Sequence, residues 1–251
     1  MYFLFYYLFM FYFDTINGKK ILKSDLIKNT NAFFTARDLC LKSGDENSVK
    51  INKKLLCDYL KIKEENLISP VQTHSANVEI FNKNKKEYLN TDGLILTEKD
   101  YGIFLNFADC VPLIFYDEKQ NIGAISHAGW RGTAQKISAV TANKLVKECN
   151  SNKNDIIVLI GPSICFSCYK IGEDVFEQLK STVTDFKGLY RKENDEIFVD
   201  LKNINKKQLT DTGITKIDVC PYCTCCNNEY FFSYRKENGT TNRHNAVLKL
   251  I

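Results

Sequence analysis

The sequence predicts an α/β protein built from mixed β-sheets with helices packed outside them. Three observations carry this prediction. Short, almost wholly apolar runs recur along the chain, as strands buried on both faces require. Other segments place apolar residues at helical spacing. The two kinds mix without strict alternation, which argues against a doubly wound parallel sheet and for mixed sheets.

At 251 residues the chain can form one large domain or two small ones. It has no internal repeat, no low-complexity linker and only four prolines. Residues 14–251 are therefore expected to form a single domain. Residues 1–13 are an apolar extension, MYFLFYYLFMFYF. No positive charge precedes it and no small-residue cleavage site follows it, so it is a poor signal peptide. It is also shorter than the roughly 20 residues of a spanning helix. Two readings stay open. Part of it is a first strand, since FYFDTINGKKIL resembles a hairpin turning at Asn17-Gly18. Alternatively Met10 is the physiological start, and the residues up to Phe9 are translated upstream sequence.

Further along, Ala32 to Arg37 reads as a short strand. A helix is expected over Asn47 to Leu60, where Val49, Lys53, Leu56 and Leu60 recur at helical spacing. Leu67 to His74 is a strand-like run, and Val78 to Phe81 a short strand. Thr91-Asp92-Gly93 is a turn before a buried strand at Leu94 to Thr97. Strands follow near Gly102 to Phe107, Pro112 to Tyr116 and Ile122 to Ser126, the last two joined as a hairpin. A helix begins near Thr133, with Ala134, Ile137, Thr141 and Leu145 on one face. Ile156 to Ile160 is a buried strand. Gly172 to Lys180 reads as helix, Ile197 to Asp200 as strand, Leu201 to Thr210 as helix and Ile214 to Val219 as strand. Tyr230 to Tyr234 and Ala246 to Leu250 are expected to close the sheets.

The net charge is +4 and the lysines are scattered, which argues for neither a nucleic-acid partner nor a membrane partner. Ten cysteines in a chain of this size read as thiols in a reducing, cytoplasmic compartment.

The chemistry concentrates between Tyr101 and Glu148. Cys110 follows an apolar run, and His127 ends a second one before Gly129-Trp130-Arg131-Gly132. His74 ends a third. Only three histidines exist, the last being His244. Two imidazoles and a thiolate make a three-ligand zinc set with a fourth position open. Mixed sulfur and nitrogen donors favour zinc over harder metals. Bound zinc would bring the pKa of its water towards about 7. Against this stand a packed thiol with satisfied histidines, and a nucleophilic Cys110 activated by His127 or His74.

Motifs taken together resemble those of the YfiH-like family, also called the laccase-domain or multicopper polyphenol oxidase family and, more recently, purine nucleoside phosphorylase. They are Gln72-Thr73-His74, Ala108-Asp109-Cys110-Val111-Pro112, His127-Ala128-Gly129-Trp130-Arg131-Gly132, Gly161-Pro162-Ser163-Ile164, Tyr169-Lys170-Ile171-Gly172 and Phe231-Phe232-Ser233-Tyr234-Arg235. They occur in order over about residues 30 to 251. The resemblance implies an α/β/β/α arrangement with two mixed sheets, and one zinc held by His74, Cys110 and His127. It implies phosphorolysis of adenosine, inosine, guanosine and methylthioadenosine, with adenosine deamination beside it. Purine nucleoside and phosphate would be the partners, and the protein a monomer or weak homo-oligomer.

Arg37 matches the arginine of the family's Thr-Arg motif and is carried over as a catalytic and substrate contact. Arg131 would be a second substrate contact, opening a helix whose N-terminus favours anions. Asp109 would orient a ligand or move a proton. After Arg37 the family's Gly-Gly-Val-Ser is replaced by Asp38-Leu39-Cys40-Leu41, which alters the expected pocket. The older activity, copper-dependent phenol oxidation, needs a histidine-rich trinuclear cluster that three histidines cannot furnish. A single copper remains the alternative metal. Cysteine hydrolysis, peptidoglycan editing and a metal-binding scaffold also stay open as functions.

Cys165/Cys168 and Cys220 to Cys226 resemble paired zinc knuckles, though the spacing is long. Packed thiols are the simpler reading. His244, in an expected terminal loop, is no ligand candidate, and Arg243 reads as structural.

Overall fold

The computed structural model describes residues 10–251. The reading of Met1 to Phe9 as upstream sequence lies outside the described residues. Strands β1 (Phe11–Ile16) and β2 (Lys19–Ser24) form the expected hairpin. Asn17 and Gly18 turn it with φ of 48° and 81°, a geometry whose twist matches the strands. β3 (Asn31–Thr35) pairs with β2. Helix α1 (Glu46–Leu60) starts where the Asp45 side chain accepts the Ser48 N–H. β4 (Leu67–Ile68), β5 (Val78–Ile80), β6 (Gly93–Leu96) and β7 (Gly102–Phe107) follow. The hairpin of β8 (Val111–Asp117) and β9 (Ile122–Ala128) leads into α2 (Trp130–Ala134) and α3 (Ile137–Glu148). Next come β10 (Ile156–Ile160), β11 (Lys170–Ile171), α4 (Glu173–Lys180), β12 (Tyr190–Glu193) and β13 (Glu196–Val199). α5 (Leu201–Asp211), β14 (Lys216–Val219) and β15 (His244–Lys249) complete the order.

The first sheet runs β1-β2-β3-β15-β7-β4, and the second β14-β10-β8-β9-β6-β5. Both are mixed, because β4–β7, β5–β6 and β10–β14 pair in parallel among antiparallel neighbours. Phe34, Leu105 and Leu248 of the first sheet meet Ile114, Ile125 and Leu159 of the second. Phe33, one residue from Phe34, faces the other way and packs with Leu56 and Leu60 of α1. On the far side, Phe115 and Val158 pack with Leu145 of α3 and Ile204 of α5. The layers are therefore α/β/β/α, as expected. Every residue of β8 is buried, which explains its unbroken apolar run.

Several expectations are corrected. The run to His74 is a strand only as far as Ile68. Pro70 has no N–H to give, and the Gln72 side chain replaces the ladder by pairing with both Asn106 N (2.8 Å) and Asn106 O (2.9 Å). Tyr230 to Tyr234 is a turn segment, not a strand. Its carbonyls are taken at Tyr230 by Arg37 N and at Phe231 by the Arg37 guanidinium. The helix expected near Thr133 is broken at Lys136, whose φ is +59°. His244 begins β15 and is fully buried, so it is not in a terminal loop. The strand near Ile197 belongs to a separate small sheet, β11-β13-β12. Among the described residues no helix is long and apolar enough to cross a membrane.

Candidate metal centre

The chain passes from the first sheet to the second twice in ways that matter here. Between β7 and β8 it crosses through Ala108-Asp109-Cys110, with Asp109 at φ +85° making the corner. Between β4 and β5 it crosses through the segment holding His74, at φ +63°. Both conformations are costly for residues with a Cβ, so the surroundings must enforce them. His127 lies in β9, one residue before its end, and its main chain pairs with Pro112. One donor atom from each of His74, Cys110 and His127 then lies within 4.8 Å of the others. Zinc bonds of about 2.0–2.3 Å need donors roughly 3.3–3.8 Å apart. The three donors are thus grouped at the scale a zinc ion requires. Gly129 leaves the space: a Cβ there would stand 3.0 Å from both Cys110 Sγ and His74 Cδ2.

Asp92 holds this arrangement, although the sequence marks it only as a turn residue. It is fully buried. Its Oδ1 lies 2.8 Å from His127 Nδ1 and accepts the His74 N–H at 3.0 Å. Its Oδ2 accepts the N–H groups of Thr73 and Ser75 at 3.0 and 2.8 Å. One carboxylate thus clamps the left-handed bend at His74 and fixes the His127 ring. With Nδ1 on Asp92, Nε2 is the nitrogen left for a metal. Three turn donors on an Asp beside a buried strand leave no periodic signature, so no sequence signal points to this role.

The charges are coupled. Burial opposes ionisation of Cys110, but the neighbouring His127 charge and hydrogen bonds from His127 and His74 outweigh it, bringing the thiol down to about 6. Burial likewise opposes protonation of His127, but Cys110 and Asp92 raise it to about 9. Asp92 is held far below the usual carboxylate range by His127 and the backbone donors, against the effect of burial. Without metal, these opposite shifts favour a thiolate–imidazolium pair at Cys110 and His127. A thiolate and an imidazole whose second nitrogen is anchored suit a borderline-soft cation.

The three donors line a cavity of about 490 Å³. Two concavities of similar or larger volume, about 500 and 600 Å³, contain no histidine, cysteine or arginine. Arg131 lines the donor cavity with its guanidinium 4.2 Å above the Trp130 ring. Its helix, α2, has only five residues, so the expected anion site at a helix N-terminus reduces to about one turn. Arg235 and Arg243 also line the cavity. Arg243 has the structural role its sequence position suggests, donating to the carbonyls of Thr240 and Asn242, and it presents its side chain to the cavity as well. Tyr169 forms part of the wall, its phenol pushed up first by burial and then by Cys110.

Arg37 is not brought into this cavity. Its guanidinium donates to Glu237 Oε1 at 2.9 Å and to the carbonyls of Asn228 and Phe231, and stacks 4.2 Å over Phe232. Asp109 lines the cavity, yet its carboxylate is occupied by Thr224 Oγ1 at 2.6 Å and Arg235 N at 2.7 Å. His244 lies elsewhere, its ring against Phe107 and Phe231.

Residues 29–251 match the family described as multi-copper polyphenol oxidoreductase laccase. The chain belongs to that family. It is similar to the purine nucleoside phosphorylase of Bacteroides thetaiotaomicron, 32% identical over 208 residues, which cover 77% of each chain. It is also similar to adenosine deaminase RL5 of an unknown prokaryotic organism, 26% identical over 217 residues covering 81% of this chain and 82% of that one. The crystal structure of the Bacillus licheniformis hypothetical protein YfiH superposes with a TM-score of 0.88 at 26% identity, covering 95% of this chain and 99% of the other. The protein is accordingly an enzyme of the laccase-like family, with candidate metal-binding residues at His74, Cys110 and His127.

Proposed function

We propose that the protein is a zinc-dependent purine nucleoside phosphorylase acting on adenosine, inosine, guanosine and methylthioadenosine, with adenosine deamination as a companion activity. The observation that carries this reading is the convergence of His74, Cys110 and His127 at a cavity also lined by three arginines. A relative named purine nucleoside phosphorylase supports the reaction, and one named adenosine deaminase supports the companion. The volume of about 490 Å³ suits a nucleoside with phosphate.

His74, Cys110 and His127 would hold the metal, and a bound zinc would supply a fixed positive charge beside the reacting groups. The chain's own residues do the rest. Arg131, Arg235 and Arg243 bind phosphate and hold it against the ribose. Tyr169, kept protonated, offers an O–H donor. A phosphate oxygen bonds to the anomeric carbon as the carbon–nitrogen bond breaks, its electrons leaving with the purine, which takes up a proton equivalent to the one that hydrogen phosphate gives up. Asp109 positions Cys110 and Arg235 through its corner and its bond to Arg235 N. Arg37 supports the 230–237 turn from behind.

Cys110, His127 and Asp92 also have the order of nucleophile, base and orienting acid of a cysteine hydrolase. His74 favours metal binding, because a hydrolase triad has no use for a second imidazole beside the thiolate. The test is base release from inosine by zinc-loaded protein with and without phosphate. Release only with phosphate supports the proposal, and release without it overturns it.

A further inference from the structure

We propose that Cys165, Cys168, Cys223 and Cys226 form a second, structural zinc site that fixes one wall of the cavity. The four sulfurs lie within 4.8 Å of one another, with Cys168 and Cys226 Sγ 3.5 Å apart. Tetrahedral zinc with bonds of about 2.3 Å needs sulfurs about 3.8 Å apart, close to what is present. The two C-x2-C turns leave neighbouring parallel strands, β10 and β14, at their carboxyl ends. They are held side by side by a parallel bridge between Ser163 and Cys223.

Two further features prepare the sulfurs for charge. Cys223 Sγ accepts the N–H groups of Cys165 and Cys226, at 3.2 and 3.4 Å, which favours a thiolate over a thiol. Buried Lys202 places its ammonium on the carbonyls of Cys220 and Tyr222, at 2.8 and 2.7 Å, at the entry to the second turn. Four thiolates on one zinc carry a net double negative charge, and a buried cation nearby offsets part of it. Binding releases to solvent the protons that the thiols still carry and involves no change of oxidation state. Four protein ligands leave no open position, so the site is structural. Its influence on the cavity is direct: Cys168 adjoins Tyr169, and Thr224, inside the second turn, holds Asp109 next to Cys110.

The test is metal and thiol analysis of the full chain, grown with zinc and purified under reducing conditions without chelator. The wild type should hold about two zinc ions and Cys225→Ser, a neighbour outside the set, the same. Cys168→Ser/Cys226→Ser should lose one. Should that variant fail to fold, Cys110→Ser answers the question, because it removes the thiolate of the other site. Its cobalt-substituted form should still show intense thiolate-to-metal absorption. Absence of that absorption would overturn the proposal. So would unchanged zinc in the double variant, iron in place of zinc, or a Cys168–Cys226 disulfide in the reduced preparation. None of these readouts depends on nucleoside turnover.

Discussion

The Asp92 carboxylate lies 2.8 Å from His127 Nδ1, and both side chains are almost wholly shielded from water. The same carboxylate caps the bend that presents His74. Asp92→Asn would set an amide N–H against donors that now find an acceptor. Metal affinity is expected to fall ~10–100-fold, read by chelator competition. Stability should fall by about 1–3 kcal/mol. Since folding lowers the pKa of Asp92, its contribution is present above the unfolded value of about 3.9 and is lost as pH falls through the folded one. The gap in Tm between wild type and variant should therefore close on acidification, and a gap that widens would contradict the clamping role.

Gly129→Val tests the tightness of the donor set. The added Cβ meets Cys110 Sγ and His74 Cδ2 at 3.0 Å. Overpacking of this kind costs about 1–3 kcal/mol. Here it should appear chiefly as lost zinc, with far-ultraviolet circular dichroism preserved. Full zinc occupancy in the variant would show that the space at Gly129 is not needed for the donors to hold a metal.

The metal-free protein should carry an ionised Cys110 at neutral pH. Alkylation of Cys110 by iodoacetamide, followed by peptide mass spectrometry, should have its midpoint at about 6 and not at the ordinary thiol value of 9.0. Saturating zinc should suppress it. The folded pKa of Cys110 lies below its unfolded value, so its contribution to stability is lost as pH falls through about 6. That of His127 lies above, so its contribution is lost as pH rises through about 9. Between those values the two slopes oppose, and the pair should leave the stability of metal-free protein nearly level with pH.

Two arginines separate support from substrate binding. Arg131→Ala should raise the KM for phosphate ~10–100-fold, as expected for losing a charge-assisted hydrogen bond, with Tm unchanged. Arg37→Ala should lower stability by roughly 1 kcal/mol, after allowance for its part-exposed pair with Glu237, and leave the phosphate KM unchanged. The reverse pattern would return Arg37 to the substrate site.

Much of the layered fold was legible because strands such as β8 are buried on both faces and so read as unbroken apolar runs. The hairpin turn was legible from Asn17-Gly18, whose backbone needs positive φ. His74, Cys110 and His127 stood out because each follows an apolar run. The rest depended on contacts between distant segments. Gln72 mimics a strand partner with its side chain, so a strand-like composition did not yield a strand. Asp92 looks like any turn aspartate until His127 folds against it. Arg235 and Arg243 reach the cavity only because a loop of turns returns from the second sheet to β15. Arg37 spends its guanidinium on Glu237, 200 positions away, and nothing in its own neighbourhood signals that partner.

The central claim is that this cavity joins phosphate to the ribose of a purine nucleoside. The most direct measurement follows inosine, inorganic phosphate and zinc-loaded protein by phosphorus NMR and chromatography together. Ribose 1-phosphate and hypoxanthine should appear in equal amounts, and neither should form with Cys110→Ala. Free ribose in place of ribose 1-phosphate, or equal turnover by the variant, would contradict the claim.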